Sequence, residues 1–147
     1  MYILDTNIVS LFDERQRHRA KPFVEWTRRN ERALYLSVIT LAEIDMGILK
    51  LRRQGGARRA DELQATTAAV EFAFGDNVIV VDARVAHEIA RIKEEIRHIE
   101  IGMADLIIAA TARTRQFIVL TQNLKHFLPT GVPALDPMIE LPPDVLA

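Results

Sequence analysis

Four short apolar runs, separated by stretches of helical periodicity, constrain the fold of this chain more than any other feature. Ile3-Leu4, Leu34-Tyr35-Leu36, Val78-Ile79-Val80-Val81 and Phe117-Ile118-Val119-Leu120 are each brief and each closed by a polar residue: Asp5, Ser37, Asp82 and Thr121. Short apolar runs with such flanks favour buried strands. Between them, Leu41, Ile44, Ile48 and Leu51 form a helical stripe on a segment starting near Thr40, and Val85, Ile89, Ile92 and Ile96 form another. Pro22 suits the first turn of a helix carrying Phe23, Val24 and Trp26, and a further helix is expected from Gly55-Gly56 to about Phe74. Leu106 to Ala110 is apolar nearly all round, which predicts a buried helix beginning at Asp105. Strands alternating with helices predict an α/β sandwich with a mostly parallel sheet, whose strand order the pattern leaves open. A short helix is expected from Thr6 through Phe12 and a charged loop over Asp13 to Lys21. Five of the six prolines fall from Pro129 onward, so the stretch of about 129–147 is expected to be extended or irregular.

At 147 residues and 49% hydrophobic content, residues 1–147 are expected to form a single domain with a proper core. No apolar run approaches a membrane span, and no basic-then-apolar leader opens the chain, so the expected location is the cytoplasm, away from any membrane. With no cysteine, thiolate chemistry and cysteine-bound zinc are excluded. A net charge of −1 does not announce a nucleic-acid binder. The basic groups Arg15, Arg17, His18, Arg19, Lys21 and Arg52, Arg53, Arg58, Arg59 read as solvated faces, though a basic rim around an acidic pocket is compatible with RNA.

Three acids and an amide stand at element boundaries: Asp5, Glu43, Asp105 and Asn123. Asp5 and Asn123 follow apolar strands, which in a parallel sheet brings both to the edge where ligands bind. Clustered carboxylates repel unless a cation neutralises them, and oxygen ligands without cysteine suit Mg²⁺ or Mn²⁺, with a phosphodiester as the natural substrate. Each residue has a purely structural role open to it as well. Asp5 and Asp105 are good helix caps, Thr40 and Glu43 have capping-box spacing, and Asn123 can start a short helix through Phe127. Other chemistries fit less well. No glycine-rich phosphate loop is present, Ser10 and Ser37 sit in no nucleophile elbow, and His18, His87, His98 and His126 lack ligand-like spacing.

The motifs in order resemble the PIN-domain family, specifically the VapC-type ribonuclease toxins of type II toxin–antitoxin pairs, with a FitB-like flavour. The matching stretches are Leu4-Asp5-Thr6-Asn7, Leu36 through Ile44 with Gly47, Val81-Asp82 with Val85-Ala86, Ala104 through Ala112, and Leu120 through Asn123 with Phe127 and Gly131-Val132. The resemblance implies a three-layer α/β/α fold with an acidic pocket for Mg²⁺ or Mn²⁺. Asp5, Glu43 and Asp105 match the family's principal acids, with Asp5 and Asp105 as direct ligands and Glu43 reaching the ion through water or orienting it. Thr6 matches a supporting hydroxyl. Asn123 stands where the family often has a fourth acid and His126 where the subgroup often has Asp. The implied reaction is in-line attack of metal-activated water on RNA, leaving 5′-phosphate ends. The implied partners are RNA, a small DNA-binding antitoxin of the VapB kind and a second copy in a homodimer. Phe23 and Trp26 are expected in the core rather than at that interface. Two alternatives remain at this stage: a non-catalytic binding protein that keeps the fold, and a housekeeping nuclease of the same family.

Overall fold

In the computed structural model, which describes residues 1–145, β1 (Tyr2–Leu4), β2 (Leu34–Ser37), β3 (Val78–Ile79), β4 (Ile118–Leu120) and β5 (Ala134–Leu135) form a five-stranded sheet in the order β3-β2-β1-β4-β5. Every pairing is parallel. The central strand β1 is buried on both faces, as a strand of a helix-covered parallel sheet must be. Its side chains alternate between two cores. Ile3 packs with the apolar faces of α6 (Ala83–Glu95) and α7 (Met103–Arg115), whereas Tyr2 and Leu4 pack with α1 (Thr6–Val9), α3 (Lys21–Arg29) and Val70 of α5 (Ala57–Phe74). The result is the expected three-layer α/β/α sandwich. Phe23 and Trp26 lie fully inside the second core, where Tyr2 meets Trp26 edge to face at 5.3 Å.

Several boundaries differ from the sequence expectation, each for a local reason. The stretch after Asp13 contains α2 (Glu14–Arg17), because Asp13 caps it and is itself held by Arg59 of α5. The helix expected from Thr40 is α4 (Val38–Arg53), begun earlier by Ser37, whose hydroxyl accepts from the Ile39 amide. The third strand keeps only Val78–Ile79: Val80 and Val81 are exposed, and the chain leaves the sheet so that Asp82 can accept from the Val85 amide and cap α6. Past α8 (Leu124–Phe127), the proline-rich stretch is not irregular throughout, since Ala134–Leu135 adds β5 beside β4. Further on, Asn30 donates to Asp144 and accepts from the Val145 amide, while the Tyr2 hydroxyl donates to the Pro143 carbonyl. Residues 146–147 of that stretch lie outside the described residues.

Candidate active site

The strand order changes direction at β1: β2 lies on one side and β4 on the other. In open parallel sheets the crevice at such a point, beyond the strand carboxyl ends, is where ligands bind. Asp5 leaves β1 there, with its amide still donating to the Leu120 carbonyl at 3.0 Å, and Thr121 leaves β4 beside it. The Asp5 carboxylate is almost entirely buried and is the focus of converging donors. Its Oδ1 accepts from the Thr6 amide at 2.7 Å, and its Oδ2 accepts from Asn7 Nδ2 at 2.6 Å and Thr121 Oγ1 at 2.7 Å.

From Asp5 a continuous set of hydrogen bonds and close polar contacts reaches every other expected site residue. On one side, Thr6 Oγ1 donates to Glu43 Oε2 of α4 at 2.5 Å. On the other, the Asn123 amide N–H donates to Thr121 Oγ1 at 2.9 Å, and Asn123 Nδ2 lies 2.7 Å from His126 Nδ1. The same His126 nitrogen lies 2.7 Å from Asp105 Oδ2, in the first turn of α7. Asn7 closes the floor, since its Oδ1 accepts from the Gln122 amide while its Nδ2 also reaches Thr121 Oγ1.

Electrostatics tie the three acids together. Burial pushes the Asp5 carboxyl above its ordinary pKa of 3.8; the Thr121 and Thr6 hydrogen bonds oppose that, and the negative charges of Asp105 and Glu43 reinforce it. A buried carboxylate raised by two neighbours of like charge is a site that a cation stabilises. The donors are oxygens with one imidazole nitrogen, which fits a hard or borderline divalent ion. Among the described residues, no three Asp, Glu, His or Cys side chains stand together closely enough to hold a metal ion by themselves. A bound ion would therefore need water or substrate oxygens to complete its coordination.

The structure thus brings Asp5, Thr6, Glu43, Asp105 and Asn123 into one network. It corrects the capping-box possibility: Ser37, not Thr40, caps α4, and Glu43 turns to Thr6 instead of a backbone amide. Nor does Asp105 cap its helix, whose N-cap is Gly102. Asp5 is both things at once, N-cap of α1 and centre of the network. Asn123 stands at the N-cap position of α8 without any side-chain capping bond, so its amide is free for the site. Thr121 and Asn7 have no place in the sequence-based expectation of the site. The signal for Thr121 was available, since it follows β4 as Asp5 follows β1. His126 has no ligand-like spacing to another histidine, and the resemblance sets it where the subgroup often has Asp; one turn of α8 places it beside Asn123.

With this geometry in view, comparison with known proteins is informative. The PIN domain family matches residues 2–127. The chain is similar to the VapC ribonuclease Y4jK of Sinorhizobium fredii, at 29% identity over 140 residues, covering 93% of this chain and 97% of that protein. It is also similar to a chain of FitAcB from Neisseria gonorrhoeae, with TM-score 0.80, 26% identity, and coverage of 93% and 98%. A chain of VapBC2 from Rickettsia felis, bound to a DNA fragment from its promoter, shares the fold with TM-score 0.70 at 20% identity, over 91% of this chain and 96% of that one.

Proposed function

The chain belongs to the PIN domain family, and from that premise we propose that it is a divalent-metal-dependent ribonuclease, the toxin of a type II toxin–antitoxin pair. The observation that carries the reading is the network at the carboxyl edge of β1 and β4, where Asp5, Glu43 and Asp105 share one electrostatic field. Similarity to a VapC ribonuclease and to FitAcB supports the nuclease and the antitoxin partner. The same reading includes a homodimer of this chain. Among the described residues, no helix is long and apolar enough to cross a membrane.

Asp5 and Asp105 would hold the ion through carboxylate oxygens, with Glu43 reaching it through water. Mg²⁺ or Mn²⁺ suits such ligands, and when bound it supplies a lowered water pKa and neutralises charge building on the phosphate. The protein's own part is positioning. Thr121, Asn7 and the Thr6 amide fix the Asp5 carboxylate so that it need not reorganise. Thr6 also fixes Glu43, which would orient the attacking water and take its proton. Asn123 offers a neutral oxygen and cannot act as a base. Attack in line with the P–O3′ bond breaks that bond and leaves a 5′-phosphate and a 3′-hydroxyl.

The test is a map of RNA 5′ ends after brief induction of wild type and of Asp105→Asn, both shown to be folded and free of antitoxin. Discrete new 5′-phosphate ends in wild type alone are expected. Products with 2′,3′-cyclic phosphates would exclude hydrolysis by activated water. Identical maps would favour a non-catalytic binding protein on the same fold.

A further inference from the structure

The Asp105–His126–Asn123 corner cannot satisfy its own hydrogen bonds. A neutral imidazole nitrogen carries either one lone pair or one hydrogen. At His126 Nδ1 that single valence faces two partners, Asp105 Oδ2 and Asn123 Nδ2, both at 2.7 Å. If Nδ1 is unprotonated, it accepts from Asn123 but points its lone pair at a carboxylate oxygen. If Nδ1 carries hydrogen, it donates to Asp105 but turns that hydrogen toward an amide N–H. Exchanging the Asn123 oxygen and nitrogen by a half-turn of the amide presents two oxygens to one hydrogen, so a single bond is shared between two short contacts.

A cation resolves all of this at once. The nitrogen lone pair, the carboxylate oxygen and the turned amide oxygen would then all serve as ligands of one positive centre. Adjacent ligands at right angles on an ion with bonds of about 2.1 Å stand about 3 Å apart, close to the separations found here. Solvent reaches the corner: the His126 side chain is 40% exposed and that of Asp105 18%. It joins the Asp5 end of the crevice through Thr121 and Asn123.

We propose that Asp105, His126 Nδ1 and Asn123 Oδ1 form a mixed nitrogen–oxygen ligand set, so that this site takes Mn²⁺ in preference to Mg²⁺. The inference rests on the metal-dependent reading above and adds to it a histidine ligand and a choice of ion. Mg²⁺ demands hard oxygen ligands and gives up its waters reluctantly, whereas Mn²⁺, the first of the divalent transition series, shares its liking for carboxylate and carbonyl oxygens and takes an imidazole nitrogen more readily than Mg²⁺ does.

Mn²⁺ is paramagnetic and reports its own ligands. Electron spin echo modulation of wild type loaded with Mn²⁺ should show coupling to a bound imidazole nitrogen, and the signal should change isotope when the protein is grown on nitrogen-15 histidine. In His126→Asp the coupling should vanish while Mn²⁺ still binds. The ratio of Mn²⁺ to Mg²⁺ affinity, from calorimetric competition, should fall roughly tenfold, the low end of what partners at metal sites contribute. Mn²⁺ bound to wild type without imidazole coupling, or coupling that survives in His126→Asp, would overturn the inference and leave the carboxylate site standing. Absence of Mn²⁺ and Mg²⁺ binding to either protein would overturn the metal-dependent reading itself. The isotope arm needs no substitution, and the remaining histidines, His18, His87 and His98, are exposed on other elements.

Discussion

Asp5 shows what one residue can carry. Its carboxylate is buried, and that burial outweighs the three donors gathered around it, so its folded pKa lies above the ordinary 3.8. An acid with a raised folded pKa is most favourable to folding below its unfolded value, and that contribution is lost as pH rises through the folded value. At neutral pH the ionised carboxylate therefore depends on its donors, and Thr121 is the strongest of them. Thr121→Val keeps the shape, removes the donor and drives the Asp5 pKa further up. The variant should lose about 2 kcal/mol at pH 7, the usual worth of a hydrogen bond to a charged group. The loss should shrink as pH falls through the raised folded pKa and Asp5 becomes neutral. Denaturation with chelator present, at neutral and at mildly acidic pH, checks both the size and the trend. A loss independent of pH would mean that Thr121 serves packing alone. The carboxylates were legible in the sequence because charge after an apolar run is conspicuous. Thr121 stands after β4 as Asp5 stands after β1, a signal the sequence carries, but Asn7 does not show itself, since its amide acquires meaning only once β4 is known to lie against β1.

At the scale of elements, the sequence placed β1, β2 and β4 well, because their apolar runs are buried on both faces and nothing competes with the strand reading. It failed where a cap or an edge decides. Leu41, Ile44 and Ile48 fix the face of α4 but not its first residue, which the Ser37 hydroxyl sets. Thr40 then falls inside the helix, fully buried, with a hydroxyl that has no partner. Two substitutions separate these roles. Ser37→Ala should cost about 1 kcal/mol, the usual worth of an N-cap. Thr40→Val should be neutral or stabilising by up to about 1 kcal/mol, because an unpaired buried hydroxyl is replaced by a methyl of similar shape. Urea denaturation of both variants is sufficient, and the reverse order would restore Thr40 as the cap. β5 was invisible for a different reason. Ala134-Leu135 is flanked by Pro133 and Pro137 and has no pattern of its own; β4 supplies it, through the Val119 amide to the Pro133 carbonyl and the Thr121 amide to the Leu135 carbonyl.

The whole molecule joins segments that are distant in sequence at two places, and both are testable. One is the clamp on the chain end, where Asn30, itself buried, spans the Trp26 carbonyl, Asp144 and the Val145 amide. Asn30→Ala should cost about 2 kcal/mol by orphaning those groups, and proteolysis confined to residues after Leu141 would locate the damage. The other is the crevice. Asp5 arrives on β1, Glu43 on α4, Asp105 on α7 and Asn123 after β4, so the unfolded chain has no equivalent site. A ligand that binds only the folded state stabilises it by about 2.7 kcal/mol at a hundred times its Kd. For a chain of this size that is roughly 8 °C in Tm, at about 3 °C per kcal/mol. Titrating Mn²⁺ or Mg²⁺ into chelator-treated wild type should therefore raise Tm progressively, and Asp105→Asn should lose most of the rise. An equal rise in both proteins would place the bound ion elsewhere and separate the acidic network from metal binding altogether. A rise in wild type alone makes the crevice a cross-link between four elements that only the strand order brings together, so that the same carboxylates which repel one another in the free protein become part of what holds it folded.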